Sequence, residues 1–356
     1  MSTARPTLIV GAGPTGLTAA IELARRGHPL RLIEQRDAPS PLSRAVGILP
    51  NSMDILGPSG AADSLRAEAV QFSGFTFHIG ARPKFALDFP MDDPAARILG
   101  LAQNRTEYHL AQALARYGGT VDYGVRFERL TQHDDHITAH LSDGSADRYA
   151  RVIGADGTGS AVRAAVDLPF EGYEVPGDWS IADVESADWP TPTRFQGYLL
   201  EGGDICIVAP LGATRFRVIA SRKDALAALP VAMNVDQLHR ADSFRIPVRA
   251  APHFQRGRVF LAGDAAHCHS PVGGRGMNLG IADAAELAAR IDAGTVAGYE
   301  AARRPKAHQV ITTTERIRRT LQGDRPLLRG LAMTGMSFAS HLPFARHRIA
   351  RRIAKL

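Results

Sequence analysis

The chain begins with a short apolar, β-branched run, residues 7–10, without alternation, which reads as a buried strand. Gly11, Gly13 and Gly16 interrupt it. From Leu17 the apolar positions Leu17, Ala20, Ile21, Leu23 and Ala24 keep helical spacing up to Gly27, a plausible helix stop. A second strand, residues 29–33, ends at Glu34. The same strand, glycine loop and helix order returns downstream. Residues 258–262 read as a strand, Gly263 and Asp264 follow it, and Gly273, Gly274 and Gly276 precede a helix starting near Met277 and Asn278. Between these regions helical periodicity fades. Short alternating strands are predicted at 180–184, 193–200, 204–208 and 215–221, with a further piece over 70–89. From Tyr299 the pattern is mostly helical.

The first region has the parts of a dinucleotide-binding unit in the right order. The first glycine permits a tight turn, the second lets backbone approach a pyrophosphate, and the third lets helix and strand pack closely. The helix start offers free N–H groups and a positive dipole end to phosphate. Glu34, 18 positions after Gly16, is placed to accept from a ribose hydroxyl, and its charge disfavours a 2′-phosphate there. This unit by itself suits FAD and NAD equally.

Composition narrows the picture. At 356 residues the chain has room for two domains, or one large domain with an insertion. No run of 18 apolar residues predicts a membrane span, and the first residues lack the apolar core of a signal peptide. Two cysteines, Cys206 and Cys268, suit a reducing compartment, so a cytoplasmic location is expected. The net charge of +6 is a property of the tail: seven basic residues and no acid lie from Arg325 onward, and the remainder sets 35 basic residues against 36 acidic ones. A nucleic-acid-binding body is not indicated.

Two later stretches separate FAD from NAD: "RVIGADGTGSAVR" at 151–163 and "GDAAHCHSPVGGRGMNLGIADA" at 263–284. With the N-terminal glycines, and with "LSRAVGI" at 42–48, "LAQNRTEYHL" at 101–110 and "GDWSIADV" at 177–184, the chain resembles the group A flavin-dependent aromatic hydroxylases, the para-hydroxybenzoate hydroxylase family. The resemblance covers most of residues 5–300. It implies an α/β fold: a Rossmann-like FAD-binding domain, an inserted and mostly antiparallel β-sheet substrate domain, and a C-terminal helical segment. The expected boundaries are 1–70, 97–173 and 253–300 for the discontinuous FAD-binding domain, 71–96 and 174–252 for the substrate domain, and 301–356 for the helical segment. Longer family members carry a further C-terminal domain, for which this chain is expected to be too short.

Carried over position by position, the resemblance implies that Gly11, Gly13 and Gly16 hold the FAD pyrophosphate and Glu34 the adenosine ribose. Arg44 matches an arginine near the diphosphate and the NAD(P)H path. Gln103 matches a residue near the ribityl chain, Asp156 belongs to a motif shared by FAD and NAD(P)H, and Asp264 holds a ribityl hydroxyl. Pro14, Gln35, Arg36, Gly157, Gly263 and Pro271 complete the expected cofactor set with Gly273, Gly274, Gly276, Met277 and Asn278. The last loop needs bare backbone because a flat ring system must lie against it, and the helix that follows points its positive end at the negative charge of reduced flavin. Arg275 departs from the neutral residue more usual in relatives. Two readings of it are open, a cation for anionic reduced flavin or a solvent-facing side chain.

The implied reaction is NADPH- or NADH-driven and uses O2. A flavin C4a-hydroperoxide hydroxylates a small aromatic or polycyclic substrate, and water must be kept from it. No catalytic side chain is identified. Candidate substrate-lining residues are Phe77, His78, Tyr198, Phe216 and Arg217, although alternation fixes only which of them share a face. The run His267, Cys268, His269 is too tight for all three to face one tetrahedral metal, and no metal site is expected. The segment "PFARHRIARRIAKL" places Ala345, Ile349, Ile353 and Leu356 on one helical face. It either packs across the two domains or rests weakly on an anionic membrane surface. The alternatives to a hydroxylase are a non-catalytic flavin-bound sensor or binding protein, a flavoprotein reductase, or a halogenase. The last is disfavoured because Trp179 and Trp189 form no W-x-W-x-I-P stretch.

Overall fold

A computed structural model describes residues 5–40, 45–271, 273–323, 334, 335, 337 and 343–355; Arg44 lies outside the described residues. Two sheets organise the chain. The first has six strands in the order 255–256, 259–261, 151–154, 7–10, 30–34 and 121–123, all parallel except the edge pair 255–256 with 259–261. Thr7–Val10 is central and wholly buried, as its unbroken apolar run predicts. The register sets Val10 beside Gly154 and Gly154 beside Leu261, so three strands end together. The loops at Gly11, Ala155 and Ala262 therefore leave from one edge, the carboxyl edge where ligands bind in open α/β sheets.

The helix Pro14–Ala24 starts on a proline at its first turn and buries the face carrying Gly16, Leu17, Ala20, Ile21 and Leu23. It crosses the helix Gly276–Asp292 very closely, since a Cβ on Gly280 would collide with Oγ1 of Thr15.

The second sheet has seven strands in the order 237–244, 179–185, 215–220, 205–210, 194–199, 74–79 and 82–88. Every pairing is antiparallel except 194–199 with 74–79. Strands from residues 74–88 and 179–244 thus meet in one sheet; the four strands between 179 and 220 lie within two residues of their predicted bounds, and the strand 237–244 was not predicted. Pairing across the sheet places Phe77, Gly197, Ile207, Ile219 and Ile181 on one face. On that face Arg217 donates from Nη1 to the carbonyl of Ala45, 3.1 Å away in the first body, so this is the inner face. The outer face carries Tyr198, Cys206, Val208, Phe216, Val218 and Ala182, covered by Ala225, Ala228 and their neighbours.

The C-terminal helix, Pro343–Lys355, lies across both bodies. Ala350 and Ala354 are fully buried with Leu49, Phe72, Leu87, Phe89 and Ile98, and Ile349 and Ile353 pack against the same cluster. Its apolar face is turned to the protein, which answers the packing alternative for this segment. Ala345 and Leu356 carry no described side chains. Among the described residues no helix is long and apolar enough to cross a membrane.

Candidate FAD site

Gly11 and Gly16 are required by the backbone itself. Gly11 has φ +101°, and a Cβ on it would sit 2.5 Å from the carbonyl oxygen of Ala155; a Cβ on Gly16 would collide with the carbonyl of Gly11. Gly13 is different. Nothing lies within 4 Å of where its Cβ would be, and its φ of −73° is ordinary. The turn packs through Gly11 and Gly16 and is open over Gly13, as a backbone cradle for a pyrophosphate must be.

Glu34 is buried at the end of its strand. Its carboxylate accepts from the Ala12 N–H at 2.9 Å and from Arg36 through both N–H (3.1 Å) and Nε (2.9 Å). Burial pushes its pKa up, but these hydrogen bonds outweigh it and hold the group below the usual carboxylate value. It is a fixed anion at the rim of the glycine turn. Gln35 is exposed and Arg36 half-buried. Gln103 starts a helix and accepts from the Ala45 N–H at 3.1 Å while donating to Glu107 at 2.8 Å, so it ties residue 45 to this side of the cleft.

Asp156 has mostly structural work. It accepts from Ser160 Oγ (2.6 Å) and the Val162 N–H (3.1 Å), bracing the turn at Gly157, and burial raises its pKa despite those bonds. Arg163, next in the same motif, is buried and reaches across to the third loop, donating to the carbonyls of Ala265 and Thr158 at 2.9 Å each. Its guanidinium also lies 3.9 Å from the centroid of Phe170.

The third loop is held from below by a buried cluster. Asp283 Oδ2 accepts from the Gly263 N–H (3.1 Å) and faces His267 Nε2 at 2.6 Å, while Oδ1 accepts from Arg303 Nε at 2.6 Å. The aspartate and histidine have no solvent exposure and Arg303 almost none. Burial pushes the Asp283 pKa up; His267 and Arg303 more than reverse it and hold the carboxyl ionised. His267 thus supports the loop. Cys268 is buried filler, and Asp264 stands exposed on the short turn that Gly263 opens at φ +60°. Among the described residues no three His, Cys, Asp or Glu groups converge on a metal position.

Beyond Pro271, Gly273 and Gly274 take positive φ, +92° and +61°, and nothing lies within 4 Å of a Cβ on Gly274. The helix begins at Gly276, so the N–H groups of Gly276, Met277 and Asn278 have no carbonyl of their own helix to donate to. The side chain of Asn278 does not serve a ligand. It accepts from the Leu49 N–H and Ser52 Oγ and donates to the carbonyls of Gly47 and Gly274, so only its backbone N–H is left to face one.

The solvent-facing reading of Arg275 does not match its position. It is 5% exposed and donates from Nη2 to the carbonyl of Ile353, 2.9 Å away on the C-terminal helix. Burial pulls its pKa down to about 10. The cation caps a helix end where the dipole is negative and fastens the glycine loop to that helix.

The five candidate lining residues divide between the sheet's faces. Phe77 and Arg217 lie on the inner one. His78, Tyr198 and Phe216 lie on the outer one, a correction to the expected set: His78 stacks on Tyr198 with centroids 4.5 Å apart, and Phe216 packs against Trp189. Two pairs are neighbours in sequence, 77 with 78 and 216 with 217, and pleating sends neighbours to opposite faces. Arg217 is fully buried and pairs with Asp183 through Nε and Nη2 at 2.7 Å each.

An open glycine cradle, a fixed acid beside it, an exposed aspartate on a tight turn and helix N–H groups without a partner in their own helix stand along one sheet edge. That donor set fits a flavin dinucleotide. The chain matches the FAD binding domain family over residues 4–218 and 220–314. It is similar to the pentachlorophenol 4-monooxygenase of Sphingobium chlorophenolicum, 32% identical across 89% of this chain and 65% of the relative. It is also similar to the 6-methylpretetramide 4-monooxygenase of Streptomyces rimosus, 32% identical across 97% and 67%. The chain spans about two thirds of the length of these curated relatives. The solved p-nitrophenol 4-monooxygenase of Pseudomonas putida DLL-E4 shares the fold, with a TM-score of 0.88 at 23% identity, covering 100% of this chain and 98% of that one. This chain belongs to the FAD binding domain family, and within it to the group A flavin-dependent aromatic hydroxylases.

Proposed function

We propose that the protein is an FAD-dependent monooxygenase that uses NAD(P)H and O2 to hydroxylate an aromatic or polyketide-like small molecule. The observation that carries this reading is the meeting of three cofactor loops, at one sheet edge, with the buried inner face of a second sheet through Arg217 and Ala45. Relatives named for pentachlorophenol, 6-methylpretetramide and rifampicin support the substrate class.

Bound FAD would supply the transfer of electrons from NAD(P)H and the activation of O2. The chain supplies placement and exclusion. Gly11, Gly13 and Gly16 with the helix start at Pro14 take the pyrophosphate, Glu34 takes the adenosine ribose, and Asp264 takes the sugar chain. Gly273, Gly274 and the N–H groups from Gly276 to Asn278 take the ring. Residues 1–70, 97–173 and 253–300 form the cofactor body, 71–96 and 174–252 the substrate roof, and 301–356 the closing helices. Apolar residues on the roof's inner face keep water from the reacting ring. A reducing, cytoplasmic setting fits two buried cysteines, Cys206 and Cys268, that form no disulfide among the described residues.

The test is NAD(P)H consumption by the purified protein with a panel of phenols and polycyclic phenols, with H2O2 measured alongside. A compound that accelerates consumption and gains one oxygen in mass establishes the reading. A protein that cannot be loaded with FAD overturns it.

A further inference from the structure

His269 lies in the third loop and has no part in the placement above. Its Nδ1 is 2.8 Å from the carbonyl oxygen of Ser270. A carbonyl only accepts, so Nδ1 carries the hydrogen and Nε2 of the neutral ring is a bare lone pair. That Nε2 is sealed from solvent and has no hydrogen-bond partner among the described residues. Burial pushes the ring's pKa down to about 4, so it stays neutral near pH 7; Arg275 adds to this, and Glu315 opposes it.

The position of the lone pair matters as much as its isolation. A Cβ built on Gly276 would be 3.9 Å from His269 Nε2 and 3.9 Å from an oxygen of Asp264. The two acceptors flank the first residue of the helix, at the opening described above. His267 makes the contrast. Its Nδ1 also lacks a partner, but that ring is fully buried in the core against Phe254, 5.5 Å between centroids, away from any opening. A sealed acceptor with no donor is costly to maintain, and at this place a bound ligand can relieve it.

We propose that Nε2 of His269 accepts a hydrogen bond from a hydroxyl group of the ligand bound over Gly276. The proposal rests on the flavin-site reading above. The hydroxyl has two possible sources, the ribityl chain of FAD and the phenolic group of a substrate. Both are donors at neutral pH, and an acceptor fixed in one tautomer selects for a donor.

The experiment uses the full-length protein with His269→Phe, which removes the acceptor and keeps a planar ring, and His269→Gln, which restores an acceptor. FAD dissociation is read by fluorescence. Binding of 2-naphthol and of its methyl ether to the FAD-loaded protein is read from the flavin absorbance. Loss of one hydrogen bond predicts a roughly three- to tenfold weaker affinity for His269→Phe, with partial recovery in His269→Gln. The loss appears in FAD dissociation if the donor is ribityl. It appears in naphthol but not ether binding if the donor is phenolic. The melting temperature of the FAD-free His269→Phe protein is expected to hold or rise, because an unsatisfied buried acceptor has been removed. If both variants match the wild type in FAD and naphthol binding, the proposal is overturned. A wild type that takes up no FAD overturns the flavin-site reading instead, and the two failures are distinct.

Discussion

The two glycine loops of the proposed FAD site would serve one cofactor and are built in opposite ways. The first, Gly11 to Gly16, is held by main chain against main chain. Gly11 and Gly16 are glycines because the Ala155 and Gly11 carbonyls occupy the space a side chain would need. The second, Gly273 to Gly276, has open space around Gly274 and is held by side chains arriving from elsewhere: Asn278 to residues 47, 49 and 52, Arg275 to residue 353, and Asp283 beneath Gly263. A loop clamped by its own backbone has one conformation. A loop braced by polar side chains is as firm as its braces. The difference suits the two ends of a dinucleotide, since the pyrophosphate needs a fixed cradle while the ring end meets reductant and substrate.

The sharpest break of this comparison is at Asp283. Asp283→Ala leaves Arg303 and His267 buried without their acceptor, and losing one partner of a buried ion pair costs about 3–5 kcal/mol. Thermal or urea unfolding should show the loss in the FAD-free protein, together with release of the turn at Gly263. A variant as stable as the wild type would mean that side-chain bracing does not hold the second loop.

Next in size is Gly16→Ala. The added methyl collides with backbone that cannot move aside, a cost near the upper end of overpacking, about 3 kcal/mol. It should destabilise the protein with or without FAD. Gly13→Ala sharpens the same point, because its methyl meets empty space. The expected result is an unchanged melting temperature without FAD and at least about tenfold weaker FAD binding, a loss of about 1.4 kcal/mol. Equal destabilisation by both substitutions would remove the distinction between a packing glycine and a ligand-facing one.

This division also explains what the sequence could convey. Gly11, Gly13, Gly16 and Glu34 were legible because each acts on residues within a single strand, turn and helix, where spacing alone fixes geometry. The strands of the second sheet were legible from alternation, but their facing was not. Phe77 and His78 carry equal claims in sequence, and only pairing with Gly197, Ile207 and Ile219 decides that Phe77 looks inward. Arg275 was illegible for a related reason. Its partner is a main-chain carbonyl 78 positions away, and a carbonyl has no residue type for a pattern to reveal. The bracing role of Asn278 was hidden in the same way, since three of its four partners are backbone groups.

Arg275→Gln tests whether the brace to the C-terminal helix matters. The substitution removes a charge-assisted hydrogen bond to the Ile353 carbonyl, worth about 1.5–3 kcal/mol, and also removes a desolvated charge, so the net loss should be nearer 1 kcal/mol. The helix should become more sensitive to protease, and FAD should dissociate several-fold faster. Arg352→Gln is the control, an exposed arginine on the same helix expected to change neither reading. If the two substitutions behave alike, the loop does not depend on the helix.

Gly274 discriminates the two loops most directly. Gly274 has φ +61°, where an alanine costs roughly 1–2 kcal/mol per residue in backbone strain, but no atom lies within 4 Å of the new methyl. Gly274→Ala should therefore unfold at a slightly lower temperature, with none of the steric loss of Gly16→Ala. Its FAD affinity should depend on whether the ring lies against this residue, because the methyl would project into that space. A Gly274→Ala protein as unstable without FAD as Gly16→Ala would show the second loop to be packed like the first. A small stability loss with clearly weaker FAD binding would show that the openness at Gly274 is kept for the ring.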